Sequence, residues 1–407
     1  MKYAIWTKRL VALAYSSMLL GVFVPAEAAP LRTLDIQSVG QGHFPLKFES
    51  PEHNTLGTSV LLRTPNGQVS GGQQVVKSLQ TKSGVVNLTF ADMIWLSGDF
   101  MGEPKQVIGL SSDPAAALQK NLAGYNKYKE YLPAIKQVFA DMLRDTQANI
   151  QAGQALEVPD DYNYRYNAAT GGWGGALGAV LKSGLYLKMA AYNYDHFGDN
   201  AIKTYVAAHS MALDLASKAN NASELNQAYF VEGYADHFLT DLFAAGHLRT
   251  PRAEVVQYCS NLPQGLSSFL TKLMHDQDGT TGLNIVNGRG ETWFGAGDNH
   301  YYTEANRSNR ERAIATLQKS VDQVYAAYQT KNPNVSENIK DMLLDMPDPA
   351  STLALKQNQN TYPPLYIKET TLNGALVIKF YNDKTKSYSN LKCGASSITA
   401  IWNYVFK

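Results

Sequence analysis

A mainly α-helical domain closed by a small β-rich tail is the fold that this chain of 407 residues predicts. Three observations point there. Apolar residues recur at helical spacing through the middle of the chain, above all over 201–219, 223–245 and 304–328. After Pro347 and Pro349 the pattern changes to polar–apolar alternation. The hydrophobic share of 44% against 17% charged is enough for a real core, and it excludes disorder and coiled coil. With 36 Lys+Arg against 35 Asp+Glu and no basic block, a dedicated nucleic-acid binder is not expected. Two cysteines exclude a disulfide-framework mini-protein and any multi-thiolate zinc finger, so a bound metal must be held by His, Asp and Glu.

Residues 1–28 read as an export signal. Lys2, Lys8 and Arg9 form a positive start, Leu10 to Val24 is apolar, and Ala26-Glu27-Ala28 supplies an A-x-A cleavage site. The apolar run is short for a membrane span. A secreted or periplasmic protein is therefore expected, with catalytic residues within 29–345 and a β-rich region over 346–407. In an oxidising compartment Cys259 and Cys393 can pair; two buried thiols are the other arrangement.

Residues 30–110 read as loops and short strands, with a helix ending near Trp95. Ser112-Asp113-Pro114 is a helix start, with a polar cap followed by proline at the first helical position. Helical periodicity then runs from Ala115 to about Ala155 with an interruption at Pro133. Tyr162 to Gly175 reads as a Tyr/Gly loop. Its Gly171-Gly-Trp-Gly-Gly175 core lacks the Lys-Ser/Thr of a phosphate loop and reads as a flexible turn bordering a cleft. A helix over 201–219 follows, then one capped by Ser223 that ends near Ala245, with Gly246 just beyond it. Pro251 to Gly290 is less regular. Glu304 to Tyr328 is a long amphipathic helix. Leu365 to Lys407 alternates, with Asn-Gly and Asn-Asp turn signals, as a β-hairpin would.

The chemistry lies in the eight histidines. His237 and Asp241 are four apart in a predicted helix, hence on one face and about 6 Å apart along the axis. Phe238, Leu239, Leu242 and Phe243 around them are apolar, so the pair faces inward. A buried His–Asp pair is costly unless compensated, and a cation is one compensation; a plain hydrogen-bonded pair is the other. His300 and Glu304 repeat the spacing. With His247 these make five N/O ligands, more than a tetrahedral zinc accepts, so at least two metals are implied. His196, in Asn193-Tyr-Asp-His-Phe-Gly198, adds a sixth. His209 reads as structural or as a hydrogen-bond partner to a ligand. His275, between Met274 and Asp276, reads as part of a solvated loop, with a calcium contact conceivable through Asp276 and Asp278. No G-x-S-x-G occurs, which argues against a lipase-type serine.

The ordered set His196, His237-x3-Asp241-x5-His247 and His300-x3-Glu304 resembles the zinc-dependent phospholipase C family, in its secreted bacterial branch. The fold relatives of that family include the S1/P1-type single-strand nucleases. The resemblance covers roughly residues 40–330. It implies a phospholipase C/P1 nuclease-like helical domain holding two or three zinc ions. His196, His237, Asp241 and Asp99 would hold one. His247, His300 and Glu304 would hold a second. A third would fall to Asp241, an N-terminal residue and an upstream histidine, His53 in preference to His43. That site is where the chain departs from the family, whose mature form often starts with Trp, whereas Ala29 follows the cleavage site here. The 53-residue step from His247 to His300 also implies an inserted segment.

The activity so implied is hydrolysis of the glycerol-side phosphodiester of phosphatidylcholine or a related lipid, by attack of zinc-bound hydroxide, giving diacylglycerol and a phosphorylated head group. Asp99 is the candidate general base. The protein would act as a monomer in transient contact with membrane lipid. Two other readings use the same residues: an exported single-strand nuclease, and a non-catalytic metal-binding surface protein.

Overall fold

In a computed structural model the described residues are 50–159, 161–262, 264–355, 358, 366–371, 375–382 and 387–394. The expected export signal and His43 lie outside them. No helix among the described residues is long and apolar enough to cross a membrane.

Helix α1 (Ser50–Ser59) is followed by two hairpins, β1 (Leu61–Arg63) with β2 (Val69–Gly71) and β3 (Val75–Thr81) with β4 (Gly84–Thr89), both antiparallel. Helix α2 (Phe90–Leu96) starts from a reciprocal cap. The Thr89 hydroxyl accepts from the Asp92 N–H at 3.0 Å, and the Asp92 carboxylate accepts from the Thr89 N–H at 2.9 Å. Every residue of α2 is buried. Gly57 lets α1 lie directly on it, since a Cβ at Gly57 would stand 2.7 Å from Ala91 Cα.

Asp113 caps α3 (Pro114–Lys127), with Pro114 at the first helical position. The chain breaks before Pro133 and resumes as α4 (Leu132–Ala152), because proline is tolerated only in a first turn. The first half of the segment expected to be a Tyr/Gly loop is instead α5 (Asp161–Ala169), while 170–174 is the expected turn; α6 (Gly175–Leu181) and α7 (Leu185–Ala191) follow it. The tyrosines of α5 supply the reason: Tyr162 and Tyr166 face the core, so the aromatic spacing was that of a helix.

Helix α8 (Gly198–Lys218) leads to α9 (Ala222–Asp241), about which the domain is built. The cap of α9 is Asn221, two residues before the expected Ser223, and residues 228–241 are buried without a break. A helix buried on all sides belongs at the centre of a bundle, and its polar residues Glu232, Asp236, His237, Thr240 and Asp241 are buried with it. Helices α8, α2 and α13 (Arg307–Thr330) pack on it.

Gly246 does not terminate that helix. It lies in α10 (Ala245–Leu248). The stretch expected to be irregular contains α11 (Arg252–Tyr258) and α12 (Gln264–Thr281), then the hairpin β5 (Leu283–Val286) with β6 (Thr292–Gly295). After α13 come α14 (Val335–Asp345) and α15 (Pro349–Ala354). The chain thus agrees with a mainly helical class.

A three-stranded antiparallel sheet of β7 (Tyr366–Thr370), β8 (Leu376–Asn382) and β9 (Ser387–Asn390) follows. Ile378 and Leu391 join Val255, Cys259, Leu270 and Met274 in a small core separate from the main one. Cys259 and Cys393 form a disulfide across that contact.

Candidate metal centre

Four segments that are distant in sequence deliver side chains to one buried place. Helix α9 brings His237 and Asp241, one turn apart. Helix α1 brings His53, the bend after α2 brings Asp99, and the turn Tyr194–His196 brings His196. His53, His237 and Asp241 are fully buried.

Hydrogen bonds to the outer side of the rings fix their direction. His237 Nδ1–H donates to the Ile94 carbonyl at 2.6 Å, which leaves Nε2 facing Asp241 Oδ2 at 3.4 Å. His53 Nδ1 lies 2.9 Å from Thr240 Oγ1. That hydroxyl spends its proton on the Asp236 or His237 carbonyl, so it accepts from His53 and turns Nε2 towards Asp241 Oδ1 at 3.5 Å. Outer partners of this kind set the tautomer of metal-binding imidazoles. His196 Nδ1 lies 2.7 Å from Asp241 Oδ2, and its Nε2 lies 3.9 Å from Asp99.

Close approach depends on Gly98. Its φ of +70° is left-handed, and a Cβ there would stand 2.8 Å from His196 Nε2. Asp195 anchors the His196 turn from the other side by accepting the N–H groups of Ile108 and Gly109, both at 2.7 Å. Burial lifts the Asp195 carboxyl to a pKa of about 6 in spite of those two donors.

His247, on α10, joins this cluster through Asp241 Oδ1 at 3.0 Å. On its far side lie His275 and Asp298. Three sets have donor atoms all within 4.8 Å of one another: His53, Asp99 and His237; His196, His237 and Asp241; His247, His275 and Asp298. His275 Nε2 is 3.1 Å from Asp298 Oδ2 and its Nδ1 is 3.0 Å from Asp276. Burial alone would lower the His275 pKa, but Asp298 and Asp276 reverse that and raise it to about 9.

Six of the eight expected ligands therefore converge: His53, Asp99, His196, His237, Asp241 and His247. His300 and Glu304 do not join these sets, and their expected place beside His247 is taken by His275 and Asp298. The reason is local. His300 Nδ1–H donates at 2.8 Å to the carbonyl of Asp298, which folds the ring onto its own loop. Glu304 opens a short 3-10 turn at the surface, 75% exposed, and pairs with Arg307. Buried Glu52 holds that loop by accepting the N–H groups of Asn299 and Tyr301.

His275 is buried on α12, not part of a solvated loop. Asp298 drew no attention in the sequence; the only trace of it was an acid two residues before a histidine. His209 has a structural setting, between Glu232 at 2.8 Å and Gln323 at 3.0 Å.

The donor set suits a cation. All ligands are N or O and imidazole-rich, and His53 and His237 are turned inward by outer hydrogen bonds. Asp298 Oδ1 is buried without a hydrogen bond, and Asp298 Oδ2 and His275 Nε2 have only each other, at 3.1 Å, an arrangement that a bound ion can satisfy. A shallow pocket lined by Gly98, Val107, Met189, Tyr192, His196 and Phe238 reaches the cluster from solvent. Asp99, with 10% of its side chain exposed, lies 3.9 Å from His196 Nε2. The chain matches no protein-family model, no curated protein and no solved structure.

Proposed function

We propose that the chain is an exported zinc-dependent phosphodiesterase of the phospholipase C type, acting on the glycerol-side phosphodiester of phosphatidylcholine or a related lipid. The convergence of four imidazoles on the two oxygens of Asp241 is the observation that carries this reading. Buried histidines and carboxylates at that density are costly without divalent ions. His53, Asp99, His196, His237 and Asp241 would hold one part of the metal cluster, and His247, His275 and Asp298 the other.

Zinc ions in such a site supply charge to offset a phosphate and make water acidic near neutral pH. The protein's own groups do the rest. The phosphodiester would enter beside His196, where the pocket must widen beyond its present space for about one water molecule, and the apolar faces of Phe238 and Phe197 keep bulk water from the imidazoles. Asp99 accepts the proton of the attacking water as its oxygen bonds to phosphorus. The phosphorus–oxygen bond to glycerol breaks, and the proton passes to the departing glycerol oxygen. The products are diacylglycerol and a phosphorylated head group.

The disulfide supports an oxidising destination, as the signal-like residues 1–28 do. A formal charge of +1 gives no general attraction for nucleic acid.

The test is a metal count by mass spectrometry together with parallel assays on soluble short-chain phosphatidylcholine and on single-stranded DNA. Two or three zinc ions per chain and chelator-sensitive release of phosphocholine are expected. Full activity after metal removal would falsify the mechanism. Cleavage of DNA alone would replace it with the nuclease reading, and bound zinc without hydrolysis with that of a non-catalytic metal protein.

A further inference from the structure

The Gly171–Gly175 segment has no part in the metal site, yet it is built with care. Trp173 is 51% exposed and Leu181 is 55% exposed, at the two ends of α6. Large apolar side chains at these positions are not left out by looseness. The Trp173 N–H donates to the Lys182 carbonyl at 3.0 Å, closing the base of the loop. Buried Asn167 ties the same base: its Nδ2 donates to the carbonyls of Trp173 at 2.9 Å and Lys182 at 3.3 Å, and its Oδ1 accepts from the Gly184 N–H at 2.6 Å. The loop is therefore held rigidly with its apolar residues outward.

Its charge is one-sided. Between Asp161 and Asp195 there is no acidic residue, while Arg165, Lys182 and Lys188 are basic. Arg165 is engaged with Asp141, but Lys182 and Lys188 are exposed. From Gly184 the chain enters α7, whose Met189 lines the pocket beside His196. Five residues of helix separate the two, a rise of about 8 Å. An exposed Trp and Leu flanked in sequence by lysines, with no acid between Asp161 and Asp195, match the boundary between lipid head groups and acyl chains.

We propose that the Trp173–Leu181 loop is the element that docks this protein on a phospholipid bilayer, with the pocket mouth facing the lipid. This rests on the phospholipase reading for its purpose, but its binding step is measured separately.

The experiment compares the zinc-loaded parent with Trp173→Ala, Leu181→Ser and Lys182→Glu/Lys188→Glu variants. One readout is co-sedimentation with vesicles of phosphatidylcholine and phosphatidylglycerol. The other is hydrolysis of short-chain phosphatidylcholine below its micelle concentration. The apolar variants are expected to lose vesicle partition about tenfold while their rate on the soluble lipid and their zinc content stay at parental levels. The double lysine variant should lose partition mainly on vesicles rich in phosphatidylglycerol, and less so at high salt. Parental partition by Trp173→Ala and Leu181→Ser would overturn the proposal. A parent that binds vesicles through this loop and hydrolyses nothing would sink the enzymatic reading and leave the docking loop standing. Hydrolysis of soluble lipid without vesicle binding would do the reverse.

Discussion

His247 Nδ1 lies 3.0 Å from Asp241 Oδ1, and this contact joins the two halves of the histidine cluster. Asp241 meets His53 with the same oxygen, and His196 and His237 with the other. Asp241→Asn keeps the shape but removes the negative charge and replaces one of the two oxygens with an NH2 group that cannot bind a cation. It should release zinc from both halves, with activity down by at least about a thousandfold, as for an essential metal ligand. Loss of only one ion by mass spectrometry would show that the two halves do not share it.

His275 and His300 offer a direct comparison. His275→Ala removes a ligand of the set with His247 and Asp298, so one zinc and most of the activity should go. His300→Ala removes a ring turned to the Asp298 carbonyl and should keep the full metal count, with at most a few-fold change in rate. The opposite outcome would restore the sequence motif His300-x3-Glu304 as the second site.

The contrast shows what the sequence could reveal. His237, Asp241 and His247 were legible because two of them lie one turn apart on a helix whose apolar run marks it as buried. His196 is legible as one more histidine beside an acid at the start of a helix, whereas Asp99 comes only from the resemblance. His275 was missed because its acidic neighbours suggested solvent. In the fold, Asp276 instead contacts both His275 and Lys272 inside the protein. Asp298 was hidden because only the packing of Gly297 against Gly279 brings its loop to α12. The mainly helical character was legible from periodicity, whereas α5 was misread because glycine and tyrosine composition outweighed the spacing of Tyr162 and Tyr166.

The protonation of His275 gives a dependence on pH with a definite sign. Its pKa rises from 6.5 to about 9 in the metal-free fold, where Asp298 and Asp276 outweigh burial. A raised histidine pKa stabilises the fold fully below 6.5, and the benefit is lost as pH climbs through 9, about 3 kcal/mol at most. Metal-free protein should therefore melt at lower temperature at pH 9.5 than at pH 6. Zinc must displace this proton, so affinity at that half should rise about tenfold per pH unit up to 9. Calorimetry in buffers of different ionisation enthalpy reads the released proton directly. A metal-free melting curve flat over this range would mean that the ring is already neutral.

Reduction of the Cys259–Cys393 bond should free the C-terminal sheet before it disturbs the helices. The bond spans 134 residues, long enough for a chain-entropy contribution of about 4 to 5 kcal/mol. The core beneath the sheet, with six buried residues among those described, is separate from the main core. Limited proteolysis under reducing conditions should cut between 355 and 394 while helical circular dichroism persists. Simultaneous loss of both signals would mean that the sheet is part of the main cooperative unit.

Gly246 is where backbone packing and the metal centre meet. It lies beside His247 on α10, and a Cβ added to it would stand 2.5 Å from the His275 carbonyl and 2.9 Å from the His275 ring. Backbone contacts at that distance cannot be relieved by turning a side chain. Gly246→Ala should push α12 outward and carry His275 away from His247 and Asp298. The backbone of Gly246 is not in the left-handed region, so alanine adds no conformational strain of its own and the effect should be steric. Zinc content should fall by one ion, while the half around His53, His196 and His237 keeps its metal. A Gly246→Ala protein with parental zinc content and activity would show that α12 can yield without loss, and that the second triad tolerates displacement.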